Sequence, residues 1–207
     1  MRLGVVLYED FELLDAYGPL EMFGCLGKEL EIVVIAERKG PVRASAGPET
    51  LAAYDFTDAP ALDLLLLPGG VGTLPALENA ALLGFLKARC PDTQITMSVC
   101  SGSAILAKAG LLDGLPATSN KMFFSLASTQ SEKVDWREAA RWVDAGRYVT
   151  SSGVSAGTDM ALAVIARLFG RERAERIAAY TEYQWHRDAD SDPFASLLNQ
   201  ADLSLLQ

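Results

Sequence analysis

The stretch QITMSVCSGSAILAKAG, residues 94–110, decides the fold of this chain. An apolar run ends at Cys100, three small residues follow, and an alanine- and leucine-rich segment continues at helical spacing. This pattern predicts a strand, a tight turn and a helix in direct succession. A nucleophile elbow places its reacting side chain at such a turn, so Cys100 is the first candidate functional residue.

Two physical effects would favour the thiolate form of Cys100. The unpaired N–H groups of the first helical turn would point towards the sulfur, and the positive end of the helix dipole would lie beneath it. The small neighbours Ser101, Gly102 and Ser103 let the backbone bend sharply and are expected to leave the sulfur accessible. The alternative is a buried core cysteine at a strand end, without a chemical role. The turn alone leaves both open.

Length and composition limit the class of protein. The 207 residues suffice for one well-buried core, and we expect a single domain over residues 1–207. No apolar segment approaches the length of about 18 residues that crosses a bilayer, and the N-terminal residues lack the pattern of a signal peptide. We therefore expect a cytoplasmic protein with no membrane partner. The net charge of −9 argues against nucleic acid as a partner, because phosphate binding needs clustered Lys and Arg.

The cysteine and histidine content excludes several kinds of site. Cys25, Cys90 and Cys100 are widely spaced and form no CxxC pair, so neither a disulfide framework nor a metal site is predicted. The single histidine, His186, lies in a polar segment and is expected at the surface. A Cys–His protease dyad needs a histidine close to the thiol, so we do not predict one.

Strand and helix patterns alternate along the chain. Buried strands are predicted at residues 3–8, 31–36 and 64–67, and a strand pair, or one strand with a turn, within 141–151. Helical spacing recurs in segments that include residues 74–90, 158–169 and 171–183, and a final helical turn or two within 185–207. This alternation predicts an α/β domain with a mainly parallel sheet covered on both faces. Sites in such sheets lie at the carboxyl ends of the strands.

Two further features follow predicted strand ends. Asp15 comes after the first strand, and the leucine run 64–67 leads into Gly69, Gly70 and Val71. The loop exposes the backbone N–H groups of these three residues, which could stabilise a developing negative charge. For Asp15 the alternative is an N-terminal cap or a charge placed well for the helix dipole, and for the glycines it is a simple tight turn. The loop lacks GxGxxG and P-loop spacing, so no nucleotide cofactor is predicted. The topology would bring Asp15, the glycine loop and Cys100 to one edge of the sheet.

Beyond these patterns, residues 3–185 resemble the DJ-1/PfpI (ThiJ) superfamily. The resemblance is carried by SVCSGS at 98–103, AGLLDG at 109–114, AT at 117–118, LLLLPGG at 64–70 and GVSAGTDM at 153–160. It implies a flavodoxin-like, class I glutamine amidotransferase-like sandwich with helices on both faces. It also implies a homodimer and a reactive cysteine, with neither metal nor organic cofactor.

The segment FELLDAYGPLEMF, residues 11–23, is similar to the isonitrile hydratase branch of this superfamily. In that branch an aspartate, here Asp15, replaces the glutamate that usually pairs with the elbow cysteine, and a hydroxyl residue, here Ser101, follows the cysteine. The resemblance thus implies hydration of a small isonitrile to an N-formamide. Cys100 would be the nucleophile and Asp15 would carry the proton. Ser101 would be a positioning donor, and its backbone N–H would be a candidate anion-stabilising group. A carboxylate beside a thiolate raises the pKa of at least one of them, so we expect a raised pKa for Asp15.

Some positions depart from the superfamily pattern. PfpI-type proteases carry a histidine directly after the cysteine, where this chain has Ser101, which argues against a protease or deglycase. Many hydratase-like members carry His-Trp after the Ala-Thr segment, where this chain has Ser119, Asn120 and Lys121. AraC-type regulators share the fold but need a helix-turn-helix region, for which the residues after 185 are expected to be too few.

The remaining candidate residues concern the pocket. Thr118, Phe123 and Ser155 are interpreted as its lining, with ordinary packing as the alternative. Two other functions stay open beside a hydratase. One is a redox-responsive, stress-protective protein in which Cys100 is oxidised. The other is a binding domain that holds a small molecule without catalysis.

Overall fold

The computed structural model describes residues 1–201, and its strands are short. They are β1 Arg2–Val6, β2 Glu31–Ala36, β3 Gly40–Arg43, β4 Glu49–Ala52, β5 Tyr54–Asp55, β6 Leu64–Leu67, β7 Ile95–Ser98, β8 Pro116–Ala117, β9 Asp135–Trp136, β10 Trp142–Ala145 and β11 Tyr148–Ser151. The β-branched and leucine runs of the sequence supply the central strands, which are buried on both faces, as in parallel sheets.

Seven of these strands form one sheet in the order β10-β11-β7-β6-β1-β2-β5. All neighbouring pairs in it are parallel except β10 and β11, which form an antiparallel hairpin at one edge. The predicted parallel sheet and the predicted strand pair within 141–151 are thus confirmed. Because β1, β6 and β7 are adjacent and parallel, the residues that follow them meet at one edge of the sheet.

Helices cover both faces of this sheet. They are α1 Leu13–Gly24, α2 Thr73–Ala76, α3 Ala80–Arg89, α4 Gly102–Lys108, α5 Phe124–Ser128, α6 Ala156–Phe169 and α7 Arg171–Tyr180. Leu64 and Leu66 pack into the core under α1, α6 and α7, whereas Leu65 and Leu67 pack into the core under α3 and α4. The uninterrupted leucine run reflects this, since alternate side chains of a strand enter opposite cores. The fold is therefore flavodoxin-like.

The structure corrects several element bounds. The helix predicted over 74–90 is divided, because the Oδ1 atom of Asn79 accepts the Leu82 N–H at 3.0 Å and starts α3 there. The last of the predicted helices ends at Tyr180 rather than 183. A final helical turn or two is expected within 185–207, and the structure has a 3-10 turn at Ala195–Leu197. Residues 202–207 lie outside the described residues. No helix within residues 1–201 is long and apolar enough to cross a membrane.

Candidate active site

Cys100 lies in the turn between β7 and α4 with a backbone φ of +57°. This left-handed conformation costs a non-glycine residue about 1 kcal/mol or more, so the surroundings must enforce it. The Cys100 N–H donates to the Ser152 carbonyl at 3.1 Å, and the Cys100 carbonyl accepts the hydroxyls of Ser103 and Ser119, each at 3.1 Å. The predicted strand–turn–helix unit therefore forms a strained elbow.

Gly102 allows the elbow to pack against the neighbouring strand. A Cβ atom at this position would lie 2.6 Å from the Leu67 carbonyl oxygen and 2.8 Å from that of Pro68. Both contacts are with backbone, which cannot move aside as a flexible side chain does. The small residue after the elbow thus lets α4 start directly against the end of β6.

Asp15 lies in the first turn of α1 and is fully buried. Its Oδ2 atom accepts the Gly69 N–H at 2.9 Å, and its Oδ1 atom makes no hydrogen bond to the other described residues. The residue at the N-cap of α1 is Glu12, so the capping alternative for Asp15 is wrong. The carboxyl group is instead held against the glycine loop after β6.

Burial raises the pKa of Asp15 to about 8, while the Gly69 N–H acts in the opposite direction and the Glu12 carboxylate adds to the rise. The expected raised pKa is thus confirmed. At neutral pH most Asp15 side chains carry a proton, so this buried residue can donate one.

The structure reverses the expectation for Cys100. Burial raises the pKa of its thiol well above the usual range, and the negative charge of Asp15 raises it further. The N–H groups of Ser101 and Val154 and the Asn120 amide act in the opposite direction. The residue is only 7% exposed, so the predicted accessible thiolate is wrong on both counts. The resting site holds a protonated thiol beside a protonated carboxyl.

Asn120 is a site residue that the sequence did not single out. Its Nδ2 atom donates to the Cys100 sulfur at 3.0 Å, and its Oδ1 atom accepts the Phe123 N–H at 3.0 Å. The available signal was the position of Asn120 just after β8, where the resemblance to hydratase-like members implies a His-Trp pair. Val154, the other residue that was missed, has a φ of +34°, and nothing in an isolated valine indicates that its N–H faces a sulfur.

Ser101 lies in a chain of hydroxyl groups. Tyr8 donates to the Pro68 carbonyl at 2.8 Å and lies 3.0 Å from the Thr73 hydroxyl, which lies 2.8 Å from the Ser101 Oγ atom. A carbonyl can only accept, so Thr73 must donate to Tyr8 and Ser101 must donate to Thr73. The Ser101 hydroxyl proton is therefore committed to Thr73, and the predicted donor role towards substrate does not fit its side chain.

The glycine loop also differs from expectation. The Gly69 N–H donates to Asp15, and the Gly70 N–H donates to the Ser101 Oγ atom at 3.1 Å. Both glycine donors are thus used within the protein, whereas the role of the Val71 N–H remains a prediction. The loop positions Asp15 and Ser101, whereas the donors that face the sulfur come from elsewhere.

The three predicted lining residues have different surroundings. Thr118 is fully buried, and its hydroxyl donates to the Arg137 carbonyl at 2.8 Å, so it does not line an open pocket. Phe123 is half-buried and follows Asn120 in the same turn. Ser155 is exposed at the start of α6, where its hydroxyl accepts from Arg141 at 3.3 Å. Phe123 and Ser155 remain predictions.

The hydrogen bonds of His186 are made with residues other than Cys100. It is half-buried, its ring nitrogen Nε2 lies 3.1 Å from the Ser191 carbonyl, and its backbone N–H donates to Asp159 at 2.8 Å. Within residues 1–201, no three His, Cys, Asp or Glu side chains are grouped so that they could hold a metal ion. The side chains near Cys100 include Asp15, which can transfer a proton, and Asn120, which donates a hydrogen bond.

The sequence is similar to those of several known proteins. The chain is 30% identical over 196 residues to an isonitrile hydratase of Pseudomonas putida, an alignment that covers 95% of this chain and 82% of that protein. It is 31% identical over 187 residues to the HTH-type transcriptional regulator GbdR of Pseudomonas aeruginosa, of which the alignment covers only 50%.

Solved structures agree with the fold. A ThiJ/PfpI family protein from Pseudomonas syringae has a TM-score of 0.79 at 34% identity, over 93% of this chain and 76% of that one. Oxidized DJ-1 of Toxoplasma gondii has a TM-score of 0.74 at 25% identity, over 89% of this chain and 99% of that one. Residues 1–167 match the model of the DJ-1/PfpI family. With the elbow cysteine in the position that the sequence motifs predicted, this chain belongs to the DJ-1/PfpI family.

Proposed function

We propose that the protein hydrates small isonitriles to N-formamides, with Cys100 as nucleophile and Asp15 as proton carrier. The observation that carries the proposal is the buried Asp15 carboxyl, protonated at neutral pH, whose charge state affects the thiol of a strained elbow cysteine. An isonitrile carbon needs a nucleophile and a proton at the same atom, and this pair can supply both. The 30% identity with an isonitrile hydratase, in an alignment that covers 95% of this chain, supports the same chemistry.

The first step adds the thiol across the terminal carbon of R–N≡C. The Cys100 sulfur forms the S–C bond while Asp15 transfers its proton to the same carbon and takes up the proton of the thiol. The product is a thioimidate, R–N=CH–S–Cys100, and Asp15 is again protonated. No net charge is created in this buried site, which suits a pair of neutral groups.

The second step consumes one water molecule. Its oxygen adds to the thioimidate carbon, one of its protons goes to the nitrogen, and the C–S bond breaks to release R–NH–CHO. The other proton returns to the sulfur through Asp15, which restores the thiol. As the sulfur leaves, the Ser101 and Val154 N–H groups and the Asn120 amide stabilise its negative charge.

A second candidate is a redox-responsive protein. Its support is the Asn120 amide, which donates to the sulfur at 3.0 Å, together with the Ser101 and Val154 N–H groups that favour the thiolate; such donors could equally bind the oxygens of a sulfinate. The similarity to DJ-1 of Toxoplasma gondii, solved in an oxidized form, is consistent with this. The raised pKa of Cys100 argues against it, because the thiolate is the form that peroxide oxidises.

The test measures the ultraviolet change when the protein meets p-nitrophenyl isonitrile. Turnover to the formamide is expected in the wild type and in the thiol control Cys25→Ala, and is expected to disappear in Cys100→Ala and Asp15→Asn. Turnover that survives Cys100→Ala would contradict the proposal. No turnover by the wild type, together with addition of two oxygens at Cys100 under mild peroxide, would favour the redox candidate.

A further inference from the structure

The turn between β8 and α5 carries Asn120 over the elbow with its amide in one orientation. The Phe123 N–H is a donor and must face an acceptor, so the carbonyl end of the Asn120 amide lies on that side. The NH₂ end is thereby directed at the Cys100 sulfur. Asn120 can only donate to the sulfur, and it can do so only while the turn keeps its shape.

Contacts on either side restrict where Asn120 can lie. The Ser119 hydroxyl donates to the Cys100 carbonyl at 3.1 Å, which ties the start of the turn to the elbow. A Cβ atom on Gly153 would lie 2.6 Å from the Asn120 Nδ2 atom, so the backbone of the neighbouring loop approaches the amide closely. Neither contact holds the part of the turn that follows Asn120.

The buried side chain of Lys121 holds this part of the turn. The residue is only 2% exposed, and its ammonium donates to the Ala140 carbonyl at 2.6 Å, to the Thr118 hydroxyl at 2.8 Å and to the Ser119 carbonyl at 3.4 Å. All three acceptors are uncharged, and two of them belong to the turn itself. Burying an ammonium among uncharged acceptors costs more free energy than burying an apolar side chain of the same length. We therefore ask what this ammonium does in the structure.

Charged groups around Lys121 act in both directions. Burial lowers the pKa of Lys121 to about 8, the Asp192 and Glu138 carboxylates act against this, and the Arg141 guanidinium adds to it. The ammonium also lies 5.5 Å from the centre of the Phe124 ring, which favours the cation. Below pH 8 the charged form with three donors predominates.

We propose that Lys121 is a positioning residue, whose buried ammonium clamps the turn of residues 118–121 to Ala140 and thereby keeps the Asn120 amide on the Cys100 sulfur. The proposal rests on Cys100 as the reacting residue of the proposed function, but not on isonitriles as the substrate. Its tests need no turnover, so they can fail or succeed independently of hydration.

The first test follows the side-chain amide of Asn120 by ¹H–¹⁵N NMR, identified by its loss in Asn120→Ala. The Cys100→Ala variant shows where the signal lies without the bond to sulfur. In Lys121→Met the signal is expected to move towards that position, whereas Lys108→Met, at a partly exposed lysine of α4 that pairs with Glu78, leaves it unchanged. An unmoved Asn120 signal in folded Lys121→Met would overturn the proposal.

The second test is a double-mutant cycle on the alkylation of Cys100 by iodoacetamide at pH 8, read by mass spectrometry. Lys121→Met is expected to slow alkylation by about threefold or more in the wild-type background and by less than about 1.5-fold in the Asn120→Ala background. This difference separates action through Asn120 from general loosening of the fold. Equal effects in the two backgrounds would overturn the proposal.

If Lys121→Met does not fold, Thr118→Val serves in its place. It removes one acceptor of the ammonium at nearly constant volume and leaves the lysine itself. The Asn120 signal is then expected to move part of the way towards its position in Cys100→Ala. A folded Thr118→Val protein with an unmoved signal would count against the clamp.

Discussion

The amide nitrogen of Asn120 lies 3.0 Å from the sulfur of Cys100, at the point where many relatives were expected to carry a histidine. An amide does not titrate, so its donor persists at every pH, whereas an imidazole would gain and lose charge near neutrality. The pH response next to the sulfur is therefore governed by Cys100 itself and by Asp15, whose charge raises the thiol pKa.

Replacing the Asn120 donor by a carboxylate is expected to suppress the thiolate. Asn120→Asp has nearly the same shape but places a second negative charge beside the sulfur, and each unit of added pKa lowers the thiolate fraction tenfold. We expect Cys100 alkylation at pH 8 to fall at least about tenfold. The rate constant is measured with iodoacetamide and mass spectrometry of the Cys100 peptide.

Asn199→Asp is the matched control for this charge. The Asn199 Oδ1 atom accepts the Ser125 N–H at 2.7 Å, a bond that a carboxylate also makes, and its backbone N–H donates to Lys121. It adds the same charge to the same region without touching the sulfur. Equal slowing in both variants would show that the effect is long-range and not due to the lost donor.

Two glycines are expected to respond to alanine in opposite ways. At Gly102 the new methyl group meets two backbone carbonyls at 2.6 and 2.8 Å, so Gly102→Ala should destabilise the protein by about 1–3 kcal/mol. Gly84 lies exposed within α3 with nothing within 4 Å of the added atom, and Gly84→Ala should stabilise it by about 0.5–1 kcal/mol. Urea unfolding measures both. A neutral Gly102→Ala would mean that the elbow tolerates displacement.

Much of the fold follows from local pattern. The run of Leu64, Leu65, Leu66 and Leu67 predicts a strand buried on both faces, and alternation with helices then predicts the parallel sheet. The site edge also follows, because Cys100 comes just after β7 and Asp15 lies in the first turn of the helix that follows β1. The break at Asn79 was missed because the apolar spacing continues through it, and only the capping bond to Leu82 shows that one helix ends there.

The contacts within the site depend on tertiary structure and were less predictable. The turn after Cys100 indicates an elbow, but the depth of its burial decides the direction of the thiol pKa, and sequence gives no measure of that depth. The Gly70 N–H was predicted to be available, yet the Ser101 hydroxyl uses it. Asn120 and Val154 reach the sulfur from loops whose shapes are fixed by distant partners.

A buried ion pair joins Arg141, the residue before β10, to Asp159 of α6. Asp159 accepts Arg141 Nε at 2.8 Å and the Tyr183 hydroxyl at 3.1 Å, and both members of the pair are buried. Asp159→Asn would leave the Arg141 charge with only the buried Asp192 carboxylate, at 3.8 Å, as counter-ion, and we expect a loss of about 2–4 kcal/mol in the free energy of unfolding. Denaturant titration at pH 7 measures this loss.

The exposed pair of Asp144 and Arg167 is the control, because its 2.9 Å contact lies in solvent. Asp144→Asn should change the free energy of unfolding by less than about 1 kcal/mol. Similar losses in both variants would show that burial adds little to the inner pair. A loss confined to Asp159→Asn would assign the difference to the loss of a buried counter-ion.

The final prediction concerns the proton on Asp15. In the unfolded chain this carboxyl has its ordinary pKa of 3.8, whereas in the folded protein it keeps its proton up to about pH 8. Unfolding between these values releases a proton, so Asp15 makes the folded state less stable as pH rises from 4 to 8, by about 1.4 kcal/mol per pH unit. Asp15→Asn removes this slope and should be more stable than the wild type at pH 8.

Urea unfolding from pH 4.5 to 9 measures the slope, with Asp113→Asn as the control. The Asp113 pKa is lowered by its hydrogen bond to Ser131 and by Lys133, so its loss should leave the slope above about pH 5 unchanged. A slope that persists in Asp15→Asn would place the bound proton on another group. Asp15 would then be ionised at neutral pH and could not donate the proton that the isonitrile carbon needs, so the stability measurement also tests the proposed first step.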